Sequence, residues 1–376
     1  MNHLGIAIKI LKGMRGKTSI PYQIIRKGRD LVKKNKIVKA GELIAIGEAL
    51  IDFLPNETEK GIMNVTAFQP AVGGAPANVC GAFSKLGGRS RMITQLGTDP
   101  FGDKIVSEFE KYKIRCDSVI RTDKANTSLA FVALKEDGNR EFSFFRNPGA
   151  DMLFSEADLQ KDWFQGGYAL HFCSVSLGEF PMKYAHKKAI EYAKEQDMLI
   201  SFDPNLRPAL WKDKKSMIKE VKEFLPLADI LKISDEELEP ITGTKDISEG
   251  LEELFQGNVK LVLYTEGAKG ARAYTKNTRV TVEGIKVNAV DTTGAGDGFI
   301  GAFLFCLFQE GIKAEDLAHF SEEKLRRYLE FANTFCGFSV QRKGAIASYP
   351  TREEVNRIYC RQHIGVERKS KGLHYH

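Results

Sequence analysis

From Glu42 onward the chain alternates short apolar runs of strand length with amphipathic segments of helix length. The apolar runs are residues 43–50, 91–97, 169–174, 198–204, 230–234 and 261–267. Helical periodicity is clear between them, for example over 181–196 and 214–225. This alternation predicts a mainly parallel sheet with helices on both faces, in a three-layer α/β/α domain.

Polar side chains end nearly all of these apolar runs. They are Asp52, Ser174, Asp203, Asn205, Ser234, Glu237 and Glu266. Ligands of open α/β sheets bind beyond the carboxyl ends of the parallel strands. We therefore expect these side chains to line one cleft, with Asp52 at the end of the first core strand.

Two segments show period-two alternation instead, residues 53–74 and 119–147, and the second contains the turn signal Asp137-Gly138. A few strands without helices cannot build an independent core. We predict that about 53–72 and 119–147 form a small β-sheet lid that projects from the main domain. An edge extension without a catalytic part is the alternative.

The net charge of the chain is unevenly distributed. Residues 1–36 contain ten Lys or Arg and one acid, Asp30, so this segment carries +9 while the whole chain carries +6. We divide the chain into a basic N-terminal extension (1–41), a main domain (42–360) and a basic tail (361–376). The extension fits a dispensable segment, an organelle-targeting presequence or an arm for nucleic acid or membrane.

Composition also bears on the cellular compartment. The apolar run at 299–308 stops short of the roughly 18 residues that a membrane span needs. The six cysteines are scattered without a Cys-x-x-Cys pair, which indicates a reducing compartment and no zinc site. We predict a cytoplasmic protein, unless the extension directs it to an organelle.

The stretch AVDTTGAGDGFIGAF (289–303) carries the strongest chemical signal. A strand ending near Val290 and a helix beginning near Gly294 would leave the first helical amides, residues 294–297, without partners inside the helix. Those amides and the positive end of the helix form a phosphate site. Asp297 would then lie where a hydroxyl attacks the phosphate, a pairing typical of phosphoryl transfer to an alcohol.

DTTGAGD (291–297) and GGAPANVCGAFSKLGG (73–88) resemble the two signatures of the ribokinase family of sugar kinases, also called the phosphofructokinase-B family. The similarity covers roughly residues 43–355 and implies a ribokinase-like α/β/α domain with a β-sheet lid. Within the family the chain is most similar to fructokinases. The segments that carry this likeness are GEALIDFLP (47–55), FRNPGADMLF (145–154), DPNLRPALW (203–211) and TEGAKGA (265–271).

The resemblance implies roles for individual residues. Asp297 would be the catalytic base, and the amides of Gly294, Ala295, Gly296 and Asp297 would hold the transferred phosphate. The substrate-binding residues would be Asp52, Gly73, Gly74, Asn78, Arg146, Asn205 and Arg207. The ATP-binding residues would be Thr265, Gly267, Gly270 and Asn333. Singly, many of these residues also fit turns, helix caps or solvated surface charges.

Two cation sites follow from the same resemblance. Glu237 would contribute to magnesium binding, although Ser234 stands where the family often carries Asn. Asp291 and Thr293, with the segment 342–348, resemble a potassium site. The cofactors implied are therefore ATP, Mg²⁺ and K⁺.

The leading hypothesis is an ATP-dependent kinase that converts D-fructose to fructose 6-phosphate. A 2-keto-3-deoxygluconate kinase, or another sugar or nucleoside kinase, is the alternative within the family, because Arg146 and Arg207 suit a substrate carboxylate. A sugar-binding or regulatory protein on a kinase scaffold is the alternative of another class. We expect no nucleic-acid or membrane partner, and the edge of the lid offers a homodimer surface.

Overall fold

A computed structural model describes residues 41–57, 60–134 and 140–357 of the chain. The turn signal Asp137-Gly138, the tail 361–376 and residues 1–40 of the predicted extension lie outside the described residues. The proposed domain boundaries therefore stay predictions.

The described strands form two sheets, and strands of the two sheets are interleaved along the chain. They are β1 (Leu43–Ile46), β2 (Leu50–Pro55), β3 (Phe68–Gly73), β4 (Ser90–Gly97), β5 (Ile114–Arg115), β6 (Val119–Thr122), β7 (Leu129–Leu134), β8 (Arg140–Phe145), β9 (Ala169–Cys173), β10 (Leu199–Asp203), β11 (Ile230–Ser234), β12 (Leu261–Thr265), β13 (Gly270–Tyr274) and β14 (Arg279–Glu283).

Six of the described helices separate strands of the larger sheet along the chain, as the sequence pattern predicts, and two more follow the last strand. They are α1 (Ala75–Lys85), α2 (Pro100–Lys111), α3 (Pro181–Glu195), α4 (Lys214–Phe224), α5 (Asp235–Thr242), α6 (Ile247–Leu254), α7 (Ala295–Glu310) and α8 (Glu322–Ser339). None of the helices in the described ranges is both long and apolar enough to span a bilayer.

The larger sheet has the strand order β14-β13-β12-β11-β10-β9-β1-β4-β5, with β6 paired to β4. Its strands from β12 to β5 are parallel, and β13 and β14 are antiparallel at one edge. The predicted α/β fold with a mainly parallel sheet is confirmed. Parallel strands place their carboxyl ends at the same side of the sheet.

Two apolar cores cover the two faces of this sheet. One contains side chains of α1, α2, α7 and α8, such as Phe83, Phe303 and Leu329, and the other contains side chains of α3 to α6, such as Ile190 and Phe224. Helix α7 packs between α1 and α8 and is apolar on nearly all sides after Asp297. A helix with that composition must be buried, which fixes its first turn against the sheet.

The smaller sheet, here called the lid sheet, has the order β3-β2-β7-β8. Its β2–β7 pair is parallel and its outer pairs are antiparallel. The prediction of a second, small sheet is confirmed, but its assignment to 119–122 is wrong. Strand β6 instead continues the larger sheet, where Val119 pairs with Thr94, because the chain leaves that sheet only after Thr122.

The predicted strand that ends near Val290 does not form. Residues 284–294 contain neither helix nor strand, and the side chain of Val290 is 60% exposed. The amides of Val290 and Asp291 donate to the carbonyl of Val340 at 2.7 and 3.1 Å. Because β14 is the edge of the larger sheet, this segment is held by the end of α8 instead of by a neighbouring strand.

The crossing of α1 and α7 depends on Gly301, where a Cβ atom would lie 2.7 Å from Cβ of Ala82. We predict that Gly301→Ala lowers the free energy of unfolding by about 1–3 kcal/mol, since the helices must separate. Gly337→Ala is the control, because its Cβ would meet only the side chain of Ile285 at 3.3 Å. That variant should equal the parent or gain up to about 1 kcal/mol. Urea unfolding that ranks the two variants equally would contradict this packing.

Candidate active site

The carboxyl ends of β10, β11 and β12 lie side by side and carry Asp203, Ser234 and Thr265. The first turn of α7 reaches the same place, because Gly296 lies against the side chain of Lys232 in β11. The predicted cleft at the carboxyl ends of the strands therefore brings several candidate residues together.

The start of α7 is built around a glycine. Gly294 is the N-cap and has a left-handed backbone conformation, with φ 71° and ψ 9°. Its carbonyl accepts a hydrogen bond from the Tyr349 hydroxyl at 2.6 Å. A Cβ atom on Gly294 would lie 2.7 Å from the hydroxyl oxygen of Tyr349. Both the conformation and the close contact exclude a side chain at this position.

The expectation that four amides would be available at this turn needs one correction. The amide of Ala295 donates to the carbonyl of Thr292 at 3.2 Å, and that of Gly298 makes the first helical bond to Gly294. The loop before α7 folds back far enough to use the Ala295 donor. The amides of Gly294, Gly296 and Asp297 remain the candidate anion donors at the positive end of the helix.

Asp297 lies in the first turn of α7, and its side chain is only 6% exposed. One carboxylate oxygen accepts from Nδ2 of Asn78 at 2.9 Å, and the other accepts from Nδ2 of Asn205 at 3.1 Å. Burial raises the pKa of Asp297, while the Asn78 hydrogen bond and the charges of Lys232 and Arg207 oppose that rise. Two amide donors favour the ionised form, and a carboxylate that is ionised and held in place can accept a proton.

Local structure fixes both asparagines. Asn78 lies near the start of α1, which follows Gly74 with φ 102°. The backbone amide of Asn78 donates to the Gly74 carbonyl. Asn205 has φ 43° in the loop after β10, where its backbone amide donates to the Asp203 carboxylate at 3.1 Å. Asparagine tolerates this left-handed region better than most residues. Two separate elements thus orient one carboxylate.

Asp52 lies in β2 of the lid sheet, so its placement at the end of the first core strand is wrong. The apolar run 43–50 is interrupted at Gly47, whose φ of 144° lets the chain leave the larger sheet after β1. A Cβ on Gly73 of the adjacent β3 would lie 2.0 Å from Oδ2 of Asp52. The carboxylate therefore fills the space that a side chain at position 73 would need.

The electrostatics connect Asp52 to the start of α7. Burial raises the pKa of Asp52 to about 7, with the negative charges of Asp297 and Asp291 adding to the rise and Arg207 opposing it. Arg207 itself is exposed, and its guanidinium donates to the carbonyl of Leu206 at 3.2 Å. Asp52, Arg207 and Asp297 therefore interact electrostatically, and their predicted roles in substrate binding and catalysis stay predictions.

Arg146 is held differently from Arg207. Its side chain is buried, with Nε 2.9 Å from one oxygen of Asp151 and Nη2 2.5 Å from the same oxygen. The other oxygen of Asp151 accepts from the hydroxyl of Ser128 at 2.5 Å. These contacts connect the lid strands to the 3₁₀ turn Ala150–Leu153. The substrate contact predicted for Arg146 stays a prediction, since its described partners are protein groups.

Glu48 extends this buried network to the junction between β1 and β2. Its carboxylate accepts from the Ser176 hydroxyl at 3.0 Å and from the amide of Ala75 at 3.3 Å. Ser176 is also 3.5 Å from Nη2 of Arg146. Burial raises the pKa of Glu48 to about 7, and the charge of Arg146 opposes that rise. The network therefore joins the base of the lid sheet to the core.

The predicted ATP-binding residues form one contiguous group at the β12–β13 turn. The Thr265 hydroxyl donates to the carbonyl of Ile233, and Gly267 and Gly270 have φ values of 54° and 113°. A Cβ on Gly270 would lie 2.2 Å from the carbonyl oxygen of Val282. Nδ2 of Asn333 in α8 lies 3.4 Å from that same carbonyl oxygen. The structure thus brings all four residues to one place.

Glu237 connects two loops of the cleft. One carboxylate oxygen accepts from the amide of Leu206 at 2.7 Å, and the other accepts from the amide of Ser234 at 2.8 Å. Within residues 41–57, 60–134 and 140–357, no cluster of three or more His, Cys, Asp or Glu side chains suits a metal ion. A hard cation here would depend on phosphate and water ligands beside a single carboxylate.

Asp291 connects the loop before α7 to the segment 342–348. One carboxylate oxygen accepts from the amide of Thr293 at 2.9 Å and from its hydroxyl at 2.6 Å. The other accepts from the amide of Gly344 at 2.9 Å. The structure brings together the groups predicted to bind potassium. Asp291, the first acid of the motif, thereby stabilises the loop that carries the first helical amides.

Lys232 was missed in the sequence analysis. It is buried in β11, and its Nζ lies 2.9 Å from Oδ2 of Asp203. The signal was present in the run ILKIS, where a lysine interrupts an otherwise apolar strand that is expected to be buried on both faces. A charge at such a position needs a partner, and Asp203 in the adjacent strand provides it.

The chain is similar to known carbohydrate kinases over most of its length. Residues 40–352 match the pfkB family carbohydrate kinase profile. A protein of Arabidopsis thaliana named probable fructokinase-5 is 41% identical over 317 residues, which cover 84% of this chain and 96% of that protein.

Solved structures give the same family. The fructokinase of Xylella fastidiosa with bound ATP superposes with a TM-score of 0.79 at 34% identity, covering 86% of this chain and 99% of that one. A double mutant of the Vibrio cholerae O395 fructokinase, in a form with fructose, ADP and potassium ion bound, gives a TM-score of 0.76 at 32% identity. That alignment covers 86% of this chain and 99% of the Vibrio protein.

The buried pair of Arg146 and Asp151 generates a stability prediction. Arg146→Met should lower the free energy of unfolding by about 3–5 kcal/mol, because the carboxylates of Asp151 and Glu48 lose their buried cation. Adding Asp151→Asn should restore part of that loss. Lys222→Met is the control, because it removes an exposed pair with Glu253 and should cost less than about 1 kcal/mol. Urea unfolding with equal losses for Arg146→Met and Lys222→Met would refute a structural role for Arg146.

Proposed function

Because the chain belongs to the pfkB family of carbohydrate kinases, we propose that it is an ATP-dependent fructokinase that forms fructose 6-phosphate. The observation that carries the chemistry is the Asp297 carboxylate, buried at the start of α7 with both oxygens held by asparagine amides. The choice of fructose is supported by the 41% identity to a relative named as a fructokinase.

In this mechanism Asp297 accepts the proton of the fructose 6-hydroxyl while the hydroxyl oxygen attacks the γ-phosphorus of ATP. The new bond joins the 6-oxygen to phosphorus, the bond from phosphorus to the β,γ-bridging oxygen breaks, and ADP leaves. The proton remains on Asp297 until solvent removes it. Orientation by Asn78 and Asn205 is what suits this carboxylate to the task, since a general base needs a fixed position near the hydroxyl.

The first turn of α7 would stabilise the charge on the transferred phosphoryl group. The amides of Gly294, Gly296 and Asp297 are the donors, and the helix dipole adds positive potential at the same place. Ala295 belongs to this turn by sequence, but its amide donates to Thr292. The anion hole proposed here is therefore smaller by one donor than the sequence alone predicted.

The sugar would lie between the lid sheet and the start of α1. Oδ1 of Asn78 is buried and has no hydrogen-bond partner within the described ranges, while its Nδ2 is committed to Asp297. A sugar hydroxyl is the group that would satisfy this oxygen. We assign Asp52, Gly73, Gly74, Asn78, Asn205 and Arg207 to sugar or phosphate contacts on this basis.

ATP would lie over the β12–β13 turn, against Thr265, Gly267, Gly270 and Asn333. When bound, Mg²⁺ neutralises charge on the phosphates. Glu237 would face it through water, because both carboxylate oxygens already accept backbone hydrogen bonds. Asp291 and Thr293 are the proposed potassium ligands, and the Vibrio fructokinase with a bound potassium ion supports that assignment.

Assembly and location belong to the same proposal. We propose a homodimer formed through the lid sheet, since β3 and β8 are its edges and Phe145 near one edge is 62% exposed. A cytoplasmic location stays a prediction from composition.

A 2-keto-3-deoxygluconate kinase is the second candidate, and the exposed Arg207 beside Asp52 and Asp297 is the observation that favours it. A guanidinium at that place would pair with a substrate carboxylate. Arg146 supports this candidate less directly, because Nε and Nη2 of its guanidinium already contact Asp151.

The experiment that tests the proposal is ADP release from ATP with magnesium and potassium present. D-fructose, 2-keto-3-deoxygluconate, D-ribose and adenosine serve as acceptors in parallel. Turnover on fructose alone supports the proposal. Preference for the keto acid favours the second candidate, and no turnover on any of them returns the question to a binding or regulatory protein.

Asp297→Asn should lower kcat by about 10²-fold or more, because an amide cannot take the proton. Asp103→Asn is the matched control, since Asp103 is also an acid in the first turn of a helix, α2, where it pairs with Arg121. The control should keep near-parental turnover. Steady-state rates with saturating fructose give the comparison, and a fully active Asp297→Asn would exclude the proposed base.

The pH dependence should report Asp52. Its pKa near 7 means that the carboxylate is ionised above that pH and protonated below it. A protonated Asp52 accepts fewer hydrogen bonds from sugar hydroxyls, so kcat/KM for fructose should fall as the pH decreases below about 7. Asp52→Asn should lower kcat/KM for fructose at every pH. In this variant the decrease of kcat/KM on the acid side of the pH profile should begin at a lower pH. An unchanged acid limb in this variant would show that another group controls it.

A further inference from the structure

Lys232 is a buried lysine at the centre of the candidate site. It is 5% exposed, lies in the apolar strand β11, and places Nζ 2.9 Å from Oδ2 and 3.2 Å from Oδ1 of Asp203. The two oxygens of one carboxylate thus hold the ammonium group in a fixed position.

The ammonium group lies against the first turn of α7. A Cβ atom on Gly296 would be 3.1 Å from Nζ of Lys232 and 3.7 Å from its Cε. Gly296 supplies one of the candidate anion donors, and Asp297 is the next residue. The lysine therefore approaches the proposed phosphate pocket from the sheet side, and the missing side chain of Gly296 leaves that approach open.

The surroundings keep this lysine charged. Burial alone lowers the pKa of a lysine, but the carboxylates of Asp203 in β10, Glu237 in α5 and Asp297 in α7 raise the pKa of Lys232 above its ordinary value. His171 in β9 also faces it, and burial with the lysine charge lowers the pKa of that imidazole to about 3, so the histidine is neutral. The nearby thiols of Cys173 and Cys336 have raised pKa values and are neutral as well.

Stability alone is a weak reason for such a pair. Removing two charges from water costs several kcal/mol per ion, and apolar replacement of a buried pair is often neutral or stabilising. A fixed cation beside helical amides is, in contrast, the arrangement that stabilises charge on a transferred phosphoryl group.

We propose that Lys232 is the protein's own cation for the transferred phosphoryl group, and that Asp203 is the residue that positions it. This inference rests on the proposed kinase function and adds to the backbone amides a side chain that contacts the phosphate. Lys232 would distinguish ATP from ADP, because it lies beside the turn that receives the γ-phosphate.

The experiment compares Lys232→Met with Lys232→Arg, Asp203→Asn and Lys183→Met. Lys183 is the matched control, being 5% exposed and paired with Glu220 at 2.8 Å in the α3–α4 region. Calorimetric titration with ATP and with ADP, without sugar, gives the two affinities, and steady-state kinetics separate kcat from KM. Thermal unfolding of each variant reports whether it is folded.

For Lys232→Met we expect ATP affinity to fall about tenfold or more while ADP affinity changes little, since a charged hydrogen bond to the γ-phosphate is lost. The kcat value should fall about 10²-fold. Lys232→Arg should recover part of the ATP preference, Asp203→Asn should lose part of it, and Lys183→Met should match the parent.

Equal losses of ATP and ADP affinity, or parental kcat in Lys232→Met, would overturn the assignment. If Lys232→Met does not fold, the ratio of ATP affinity to ADP affinity in Asp203→Asn and Lys232→Arg decides the question. A ratio equal to the parent's in both variants would overturn the assignment. A parent that binds ATP but does not turn over fructose would refute the proposed function alone, because the two affinities would still test Lys232.

Discussion

The rest of the site depends on one contact, in which the Asp297 carboxylate at the start of α7 is held by Asn78 and Asn205. An acid in the first turn of a helix often caps its own backbone, but this one is directed to α1 and to the loop after β10. The positive end of α7 is thereby left for a second anion. On the proposed assignment, a base and an anion site coexist because neutral amides satisfy the carboxylate and nearby cations offset its charge.

Burial then makes charge balance the organising constraint. The charge of Asp297 affects the pKa of both Asp52 and Asp203, and the charge of Glu237 affects that of Asp297. The charges of Lys232 and Arg207 both oppose the rise in the pKa of Asp297. Arg146 contacts Asp151 and Ser176, and Ser176 donates to Glu48, at the junction of the lid sheet and the core. The two arginines, which the sequence did not distinguish, therefore differ in their surroundings. Arg146 stabilises the lid junction, and Arg207 is exposed and accessible to a ligand.

The fold could be predicted because strand and helix periods alternate so regularly, and the family because two motifs appear in order. The errors have local physical causes. Gly47 divides one apolar run between two sheets, so Asp52 lies in the lid sheet and not at the end of the first core strand. Strand β6 extends the larger sheet, although its period-two alternation predicted a lid strand. Lys232 could not be placed from sequence, since only the pairing of β10 with β11 shows that Asp203 is near. The amide of Ala295 was miscounted because loop hydrogen bonds leave no periodic signal.

A crystal structure with ADP, a fluoroaluminate mimic of the transferred phosphoryl group, magnesium and D-fructose tests the central claim most directly. The claim predicts the fluoroaluminate at the amides of Gly294 and Gly296. It also predicts the 6-hydroxyl of fructose within about 3 Å of an Asp297 carboxylate oxygen. A fluoroaluminate bound away from the start of α7, or a different hydroxyl facing Asp297, would contradict the assignment of base and anion hole to one helical turn.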